Sequence, residues 1–372
     1  MGSNVSNFSN LPATDSSKWT LAAYKYLARK RLTGKVGVDL KHIAAKSWEI
    51  APGETSISPP AFYLPNQLER VTGWEAKRFF PFVHPAQTMQ GGLKLEEGST
   101  RGYLIKNVWL VDGALYKGNA SHWVSLRPSN FPPILVENEI ERAAVYCTKN
   151  GNTWFGTWLM EDCVTYALAC NEGVPVTTAP SARYPLFTQA PAYEDLLDMR
   201  PYRLRSAFFH EVVLFDDMSN NRSRHQRYRA MGDKLRSQVR YESHPGVFLL
   251  RGGDGDLRFL RNELQIAEHL HKTRGLRIVD PLRTEVPAIV AACAGARMVV
   301  GVEGSQLVHG VNVLESGGAL LTLQPPNRFV SYYKYLTDRD HQHFGFVVGT
   351  PDGDGFTIDI DEVERTLDLF PC

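Results

Sequence analysis

The chain has 372 residues, of which 43% are hydrophobic and 22% are charged, and its formal net charge at pH 7 is +1. This length allows two domains with buried cores, and the near-neutral charge argues against a broad electrostatic attraction to nucleic acid. No apolar run reaches the ~18 residues of a membrane-spanning helix, and the N-terminus lacks the apolar core of a signal peptide. We therefore expect a cytoplasmic globular protein with a disordered lead-in over residues 1–17.

The cysteine pattern indicates free thiols. None of the five cysteines belongs to a CxxC pair, so buried thiols in a reducing cytoplasm are expected rather than a zinc site. The five are Cys147, Cys163, Cys170, Cys293 and Cys372.

The first predicted element is a helix over residues 18–35, which has one apolar and one basic face. The apolar positions at helical spacing are Leu21, Tyr24, Leu27 and Leu32. Two interpretations of the basic face are open: a solvated surface, or peripheral contact with an anionic membrane surface or a partner. Residues 51–81 are rich in Pro, Gly and Ser and are expected to be mostly loop.

The middle of the chain predicts both strands and helices. Residues 101–126 alternate in polarity around Val111-Asp112-Gly113, which predicts a hairpin. A helix is expected to end at Gly173, and the basic residues 219–246 are expected to form a helix and then a linker between domains. Short apolar strands are predicted over residues 143–149, 174–179 and 211–217.

From residue 247 onward, predicted strands and helices alternate with short loops, which is typical of a parallel doubly wound sheet. We therefore predict an α/β fold with an N-terminal domain over residues 18–235 and a C-terminal domain over residues 236–350. Residues 351–372 are predicted to add a closing strand and helix.

Three loops of the second half follow predicted parallel strands, so they can converge at the carboxyl edge of the sheet, where such folds bind ligands. Together they offer guanidinium groups, glycines and free backbone amides, which suit a diphosphate. The chain has no P-loop motif and no GxGxxG with a following acid, so a dinucleotide is not favoured. The loops contain Arg251 and Arg258, then Gly301-Val302-Glu303-Gly304-Ser305, then Gln324-Pro325-Pro326-Asn327-Arg328.

The segments "FLLRGGDGDLRFLRNELQIAEHL" and "GARMVVGVEGSQLVHGVNVLESGGALLTLQPP" resemble the family 61 glycosyltransferases. That family shows an arginine after a strand, R-x-x-x-N-E opening a helix, a G-x-H-G-A-x-L-x-N turn and a V-I-E-x-x-P strand end. Its members include bacterial polysaccharide enzymes, plant xylosyltransferases and animal N-acetylglucosaminyltransferases. The resemblance covers roughly residues 140–350 and is strongest over residues 247–326.

The resemblance implies a GT-B architecture, with two Rossmann-like doubly wound domains facing each other across a cleft. Such enzymes bind a nucleotide sugar, usually a UDP-sugar, in the C-terminal domain, and they transfer the sugar with inversion and without a metal. Residues that match a position of the family motifs, or adjoin one in the sequence, are candidates for binding the donor. They are Arg251, Arg258, Asn262, Gly301, Glu303, Gly304, Ser305, Gln306, Thr322 and Pro325.

Four positions depart from the family pattern and indicate a divergent subfamily with a different nucleotide or sugar. Glu303 replaces the histidine of the turn, and Ser305 replaces the alanine after the second glycine. His309 occupies the position of the asparagine that ends the family's G-x-H-G-A-x-L-x-N motif, and Thr322 occupies the position of the glutamate in V-I-E-x-x-P. A carboxylate at position 303 must pair with an arginine or bind a ribose hydroxyl to be tolerated beside a diphosphate.

An inverting transferase needs a general base for the acceptor hydroxyl. The family commonly shows N-Y-x-H-W-x-x-E in its first half. Here Trp158 and Glu161 match that motif, while Thr157 takes the place of the histidine. We predict Asp162 as the base and Glu161 as the next candidate, although acids in a first helical turn can also simply stabilise the helix dipole. Further candidates are His84, His210, Asp216 and Asp217.

No metal site is expected. Asp254-Gly-Asp256 and Asp359-Ile-Asp361 have the Asp-x-Asp form of metal-dependent transferases, but turn chemistry is the preferred interpretation. Two aromatic residues, Trp154 and Trp158, are predicted to contact the acceptor sugar, with core packing as the alternative. Phe155 and Tyr184 are further stacking candidates.

The predicted function is transfer of a sugar from a nucleotide-sugar co-substrate, expected to be UDP-linked, to a glycan or lipid-linked acceptor in polysaccharide biosynthesis. Two alternatives remain open at this level. One is a non-catalytic nucleotide-sugar or glycan-binding protein, which the missing histidine supports. The other is a nucleotide-sugar epimerase, which would act on the donor without an acceptor.

Overall fold

A computed structural model of the chain describes residues 14–15, 18–35, 37–75, 85–126, 131–181, 185–252 and 258–371. The chain divides into two compact units. Unit 1 comprises Met1–Gly53 and Gly98–Arg227, and unit 2 comprises Glu54–Glu97 and Tyr228–Cys372. The predicted domain boundaries therefore need correction, because residues 54–97 join the C-terminal unit rather than the N-terminal one. Their main-chain pairing with that unit, such as the Phe62–Gly345 bridge, is long-range and leaves no local sequence signal.

The strands of unit 1 and unit 2 alternate along the chain in blocks. In chain order they are β1 Thr14–Asp15, β2 Lys46–Ala51, β3 Glu54–Ile57, β4 Lys94–Glu97, β5 Thr100–Val111, β6 Ala114–Lys117, β7 Ala120–Trp123, β8 Asn138–Val145, β9 Val174–Thr178, β10 Tyr202–Leu204, β11 Ser206–Asp216, β12 Val247–Leu249, β13 Arg277–Val279, β14 Met298–Val302, β15 Ala319–Gln324, β16 His343–Val348, β17 Thr350–Asp352 and β18 Gly355–Thr357.

The helices are mostly short. They are α1 Ala22–Thr33, α2 Pro85–Gln90, α3 Phe155–Thr157, α4 Cys163–Glu172, α5 Ala190–Leu197, α6 Arg222–Ser237, α7 Glu263–Arg274, α8 Val286–Ala294, α9 Val308–Val311, α10 Tyr332–Arg339 and α11 Ile360–Leu367. A π-helical turn, Trp158–Asp162, joins α3 to α4. Single 3₁₀ turns occupy Leu40–Ile43, Leu68–Arg70 and Ser305–Leu307.

Unit 1 contains a mixed sheet in the order β10-β9-β8-β11-β5-β6-β7. Strand β11 is parallel to β8 on one side and antiparallel to β5 on the other. The predicted hairpin is confirmed: Asp112 and Gly113, with φ of 46° and 75°, form the left-handed two-residue turn that suits twisted strands. Strands β10, β9, β8 and β11 pair in parallel, whereas β5, β6 and β7 are antiparallel, so the sheet of this unit is mixed rather than wholly parallel.

Unit 2 contains the predicted parallel sheet, in the order β13-β12-β14-β15-β16. Every residue of β15 is buried, as expected for a strand in the interior of a parallel sheet. One hydrophobic cluster joins Phe248, Val300 and Leu321 of adjacent strands to α7 and α11. The α/β class is therefore confirmed, and the carboxyl ends of β12, β14 and β15 lie at one edge of this sheet.

Helix α1 is shorter than predicted and buries a different face. Ala23 and Tyr26 are its buried residues, and Tyr26 packs against Tyr116 with ring centroids 5.5 Å apart. Leu32, expected on the buried face, is 84% exposed. No helix in the described part of the chain is both long and apolar enough to cross a membrane.

The thiols of the described cysteines are free, as predicted. Cys147, Cys163 and Cys293 are buried, and Cys170 is half-buried. Burial raises the pKa of the Cys147 thiol to about 11, so this group is a neutral core residue at physiological pH. Cys372 lies outside the described residues.

Candidate functional site

The three predicted loops converge in unit 2. Arg251 follows β12, the turn at Glu303–Gly304 follows β14, and Arg328 follows β15. The Nη1 atom of Arg251 donates to the main-chain oxygen of Glu303 over 3.3 Å and to Oε1 of Gln306 over 3.4 Å. We call Arg251, Arg258 and Arg328, with the carboxylates around them, the arginine cluster.

Gly304 lets Arg251 lie directly over the turn. A Cβ atom at this position would stand 1.7 Å from Nη1 of Arg251, so any other residue would displace the guanidinium group. Its φ of 161° is ordinary extended backbone, so the requirement for glycine comes from this close approach and not from backbone strain. The hydroxyl of Tyr333 donates to the main-chain oxygen of Gly304 and fixes the turn from the other side.

The side chain of Arg258 is more buried than that of Arg328, with exposures of 10% and 29%. Its Nη1 donates to the main-chain oxygen of Glu303 over 3.0 Å and also pairs with the Glu303 carboxylate. Burial lowers the pKa of Arg258 to about 10, and the positive charges of Arg328 and Arg251 contribute to the same shift. The shift therefore reflects mainly the removal of this guanidinium group from water, and repulsion from the two neighbouring arginines adds to it.

Glu75 completes the cluster from the segment 54–97. Its Oε2 accepts from Nε of Arg328 over 2.6 Å, and its Oε1 accepts from Nη2 over 3.2 Å. The same Oε2 lies 4.0 Å from Nη2 of Arg258. Glu75 was not among the predicted site residues, because it stands in a stretch expected to be loop and its position depends on main-chain pairing with the distant Phe329.

Glu263 organises the backbone of the first loop. Its two carboxylate oxygens accept from the amides of Arg251 and Gly252 over 2.7 and 3.2 Å. These amides are therefore already bonded within the protein. Burial raises the pKa of the Glu263 carboxyl, while the two amide hydrogen bonds act in the opposite direction.

Several predicted donor-binding residues lie outside the contacts of the cluster. The side-chain amide of Asn262 bonds both main-chain groups of Ile358, at 2.7 and 3.2 Å, and so holds the link between β18 and α11. Thr322 is fully buried within β15, and its hydroxyl donates to the main-chain oxygen of Gly345. Gly301 allows β14 to approach β12, since a Cβ there would lie 2.6 Å from the Leu249 oxygen.

The helix expected after the glycine turn is short. Ser305 is exposed and begins a 3₁₀ turn, which is followed by the four residues of α9. A helix of this length has little macrodipole, so the predicted contribution of a positive helix terminus is small. Pro325 follows β15 and starts the turn that leads to Arg328.

The two predicted base candidates lie in the π-helical turn of unit 1, and both are buried. The helix begins at Phe155, so Glu161 and Asp162 are not in its first turn as expected. The Glu161 carboxylate pairs with Nη2 of Arg224, whose Nη1 lies 2.8 Å from Asp217. Arg227 adds a two-pronged contact of 2.7 Å on each oxygen of Asp217.

Asp162 is fully buried and bonded to one residue. Its Oδ2 accepts from the amide of Thr148 and its Oδ1 accepts from the Thr148 hydroxyl, both over 2.9 Å. Gly151 lies against it, because a Cβ there would stand 1.8 Å from Oδ2. Burial raises the pKa of Asp162 to about 8 despite these hydrogen bonds. Its catalytic role stays a prediction.

Asp217 is buried, whereas Asp216 and His210 are more exposed base candidates. Asp216 accepts from the Tyr103 hydroxyl over 2.8 Å and pairs with Lys41, with its side chain 46% exposed. His210 lies 2.7 Å from the Glu139 carboxylate. His84 lies outside the described residues.

A small cavity of about 40 Å³ that is partly open to solvent lies at the carboxyl ends of β8 and β9 in unit 1. Trp158 and Phe187 line it, with ring centroids 6.2 Å apart. Asn152, Thr177 and Arg203 add polar groups to its wall.

The two tryptophans predicted to contact the acceptor differ in exposure. Trp154 is 40% exposed, whereas Trp158 is 5% exposed. Tyr184 lies outside the described residues.

Within the part of the chain that the structure describes, no group of three or more His, Cys, Asp or Glu side chains is placed to hold a metal ion. Asp359 accepts from the amide of Asp361 over 2.9 Å and caps α11, which is the turn chemistry expected for this pair. Asp254 and Asp256 lie outside the described residues.

Comparison with known proteins identifies the family. No curated protein matches the chain. The sequence model of the family described as Glycosyltransferase 61 matches residues 62–318. This range includes the π-helical turn of unit 1 and the residues of the arginine cluster up to the turn after β14. This match covers more than half of the chain and supports a glycosyltransferase over the two alternatives. The chain belongs to the glycosyltransferase 61 family.

Proposed function

We propose that the enzyme uses a nucleotide-sugar donor, with UDP as the expected nucleotide, and that the arginine cluster of unit 2 binds the donor's diphosphate. The observation that supports this proposal most strongly is the convergence of Arg251, Arg258 and Arg328 at the carboxyl edge of a parallel sheet. Guanidinium groups bind phosphate oxygens through paired, charge-assisted hydrogen bonds. The GT-B arrangement implied by the family resemblance is part of the same proposal.

A further observation supports an anionic ligand. The Nε atom of Arg258 is buried and has no hydrogen-bond partner among the described residues. A buried donor without a partner is costly, and a phosphate oxygen is one group that would satisfy it. The Glu303 carboxylate, which replaces the family's histidine, is paired with this same arginine.

In this proposal, transfer proceeds with inversion, and the guanidinium groups stabilise the negative charge that develops on the leaving nucleotide diphosphate. We also propose that the cavity beside Trp158 contacts the acceptor, with Trp154 at the surface of the same unit. Aromatic faces and a few polar groups are typical of a sugar-binding pocket. Asp162 remains the first candidate for the base, followed by Glu161.

Arg251→Met tests the donor site. We expect the dissociation constant for UDP to rise about tenfold to a hundredfold, because a hydrogen bond to a charged group contributes ~1.5–3 kcal/mol. Arg258 is less suitable for this test, because its removal would leave the buried Glu303 carboxylate unpaired.

Isothermal titration calorimetry with UDP measures the effect, and Arg261→Met is the matched control. Arg261 is 39% exposed and pairs with Asp354 outside the arginine cluster, so its removal should leave the dissociation constant unchanged. Equal affinities of wild type and Arg251→Met for UDP would contradict the proposed site.

Metal independence is a separate expectation. If the arginine cluster neutralises the leaving diphosphate, transfer should continue at its normal rate after treatment with EDTA. The measurement is the release of UDP from a UDP-sugar in the presence of acceptor, with and without chelator. Loss of turnover that added Mn²⁺ or Mg²⁺ restores would contradict this part of the proposal.

A further inference from the structure

Glu75 is held beside the arginine cluster by its backbone. Its amide donates to the main-chain oxygen of Phe329 over 2.9 Å, and the amide of Phe329 donates to the oxygen of Gly73 over 2.8 Å. Gly73 permits this pairing, because a Cβ there would lie 2.1 Å from the Asn327 oxygen. The residue is therefore anchored to the loop after β15 and does not reach the cluster through a freely moving chain.

The Glu75 carboxylate occupies the edge of Arg328 that a phosphate would use. Its two oxygens contact Nε and Nη2 of Arg328 in the parallel, two-pronged manner that guanidinium groups adopt with carboxylates and phosphates alike. It is also 4.0 Å from Arg258. A phosphate that bound the Nε–Nη2 edge of Arg328 beside Arg258 would displace the Glu75 carboxylate.

The carboxylates of Glu75 and Glu303 differ in their freedom to move. The side chain of Glu303 is 6% exposed and pairs with a guanidinium group that is 10% exposed. The side chain of Glu75 is 37% exposed, and that of Arg328 is 29% exposed. Glu75 can therefore rotate into solvent at low cost while its backbone stays in place, whereas Glu303 would leave a buried charge unpaired.

We propose that Glu75 is a built-in competitor of the donor: its carboxylate holds Arg328 when no nucleotide is bound and is displaced by the diphosphate. This inference rests on the proposed donor site and adds a control of its affinity. The carboxylate lowers the affinity for any nucleotide diphosphate, and its return to Arg328 favours release of the nucleotide product after transfer.

The test compares UDP and uridine binding by wild type, Glu75→Gln and Glu75→Ala, using titration calorimetry. We expect both variants to bind UDP about three- to tenfold more tightly, which is the effect of removing a partly exposed ion pair that competes with the ligand. The affinity for uridine, which has no phosphate, should not change. Glu69→Gln is the control, since Glu69 is exposed on the same segment and outside the cluster.

Suppose that the wild type binds UDP and that Arg251→Met weakens this binding. Unchanged or weaker binding of UDP by both Glu75 variants, with normal melting temperatures, would then overturn the inference about Glu75 and leave the donor-site proposal intact. If the wild type binds no UDP, the donor-site proposal fails, and the inference about Glu75 fails with it. An equal gain in affinity for UDP and uridine would also overturn it, because the effect would then not act through the diphosphate.

Discussion

Arg224→Met is expected to lower the free energy of unfolding by about 3–5 kcal/mol, because it removes the cation from a buried charge network. Arg224 is fully buried and lies between the carboxylates of Glu161 and Asp217, which are 1% and 4% exposed. The substitution keeps most of the volume of the side chain but removes the cation that lies between two buried carboxylates. Removing one member of a buried ion pair costs more than the net contribution of the pair, because the remaining charge stays in a low-dielectric surrounding.

Urea unfolding of the purified protein measures this change. Arg222→Met is the matched control, since Arg222 is exposed on the same helix and its replacement should alter the free energy of unfolding by less than about 0.5 kcal/mol. The double variant Glu161→Gln/Arg224→Met should be less destabilised than the sum of its single variants, because the two residues share one interaction. A loss below about 1 kcal/mol in Arg224→Met would argue against a buried charge network.

This network changes how the π-helical turn is interpreted. The match of Glu161 to the family's motif made it a candidate base, but its carboxylate is engaged with Arg224 inside unit 1. Arg224 joins Glu161, which lies 63 positions away in the sequence, to Asp217, which is close to it in the sequence. Local patterns predicted a helix with acids in its first turn, and they could not indicate that the helix starts earlier, at Phe155, and buries both acids.

The features that the sequence predicted well are those fixed by local chemistry. The turn at Asp112-Gly113 follows from residues that tolerate positive φ, and the sheet of unit 2 follows from apolar runs that alternate with helical patterns. The convergence of Arg251 and Arg328 could also be predicted from the sequence, because parallel strands place their carboxyl ends at one edge of the sheet. Pairings between residues far apart in the sequence could not be predicted in this way. The antiparallel pairing of β11 with β5 and the approach of Glu75 to Arg328 are examples.

Asp162→Asn is expected to raise the free energy of unfolding relative to wild type, by an amount that grows as the pH rises from about 4 to about 8. In the folded protein burial raises the pKa of this carboxyl from 3.8 to about 8, so the folded state binds a proton that the unfolded state releases. Stability then falls with rising pH across that window and levels off above it. One pKa unit corresponds to ~1.4 kcal/mol, so the accumulated loss in wild type reaches several kcal/mol at pH 9.

Asparagine removes this loss while it keeps the contacts of Asp162. Its oxygen can accept from the Thr148 amide, and its amino group can donate to the Thr148 hydroxyl oxygen, which also accepts from the amide of Gly151 over 2.9 Å. Urea unfolding at pH 5, 7 and 9 measures the difference. A difference that stays constant over this range would show that the carboxyl is ionised in the folded state.

Turnover of the same variant decides the catalytic role of Asp162. If Asp162 is the general base, its loss should lower the rate ~10²–10⁴-fold with UDP affinity unchanged. If it only holds Thr148 in place, turnover should stay near that of wild type.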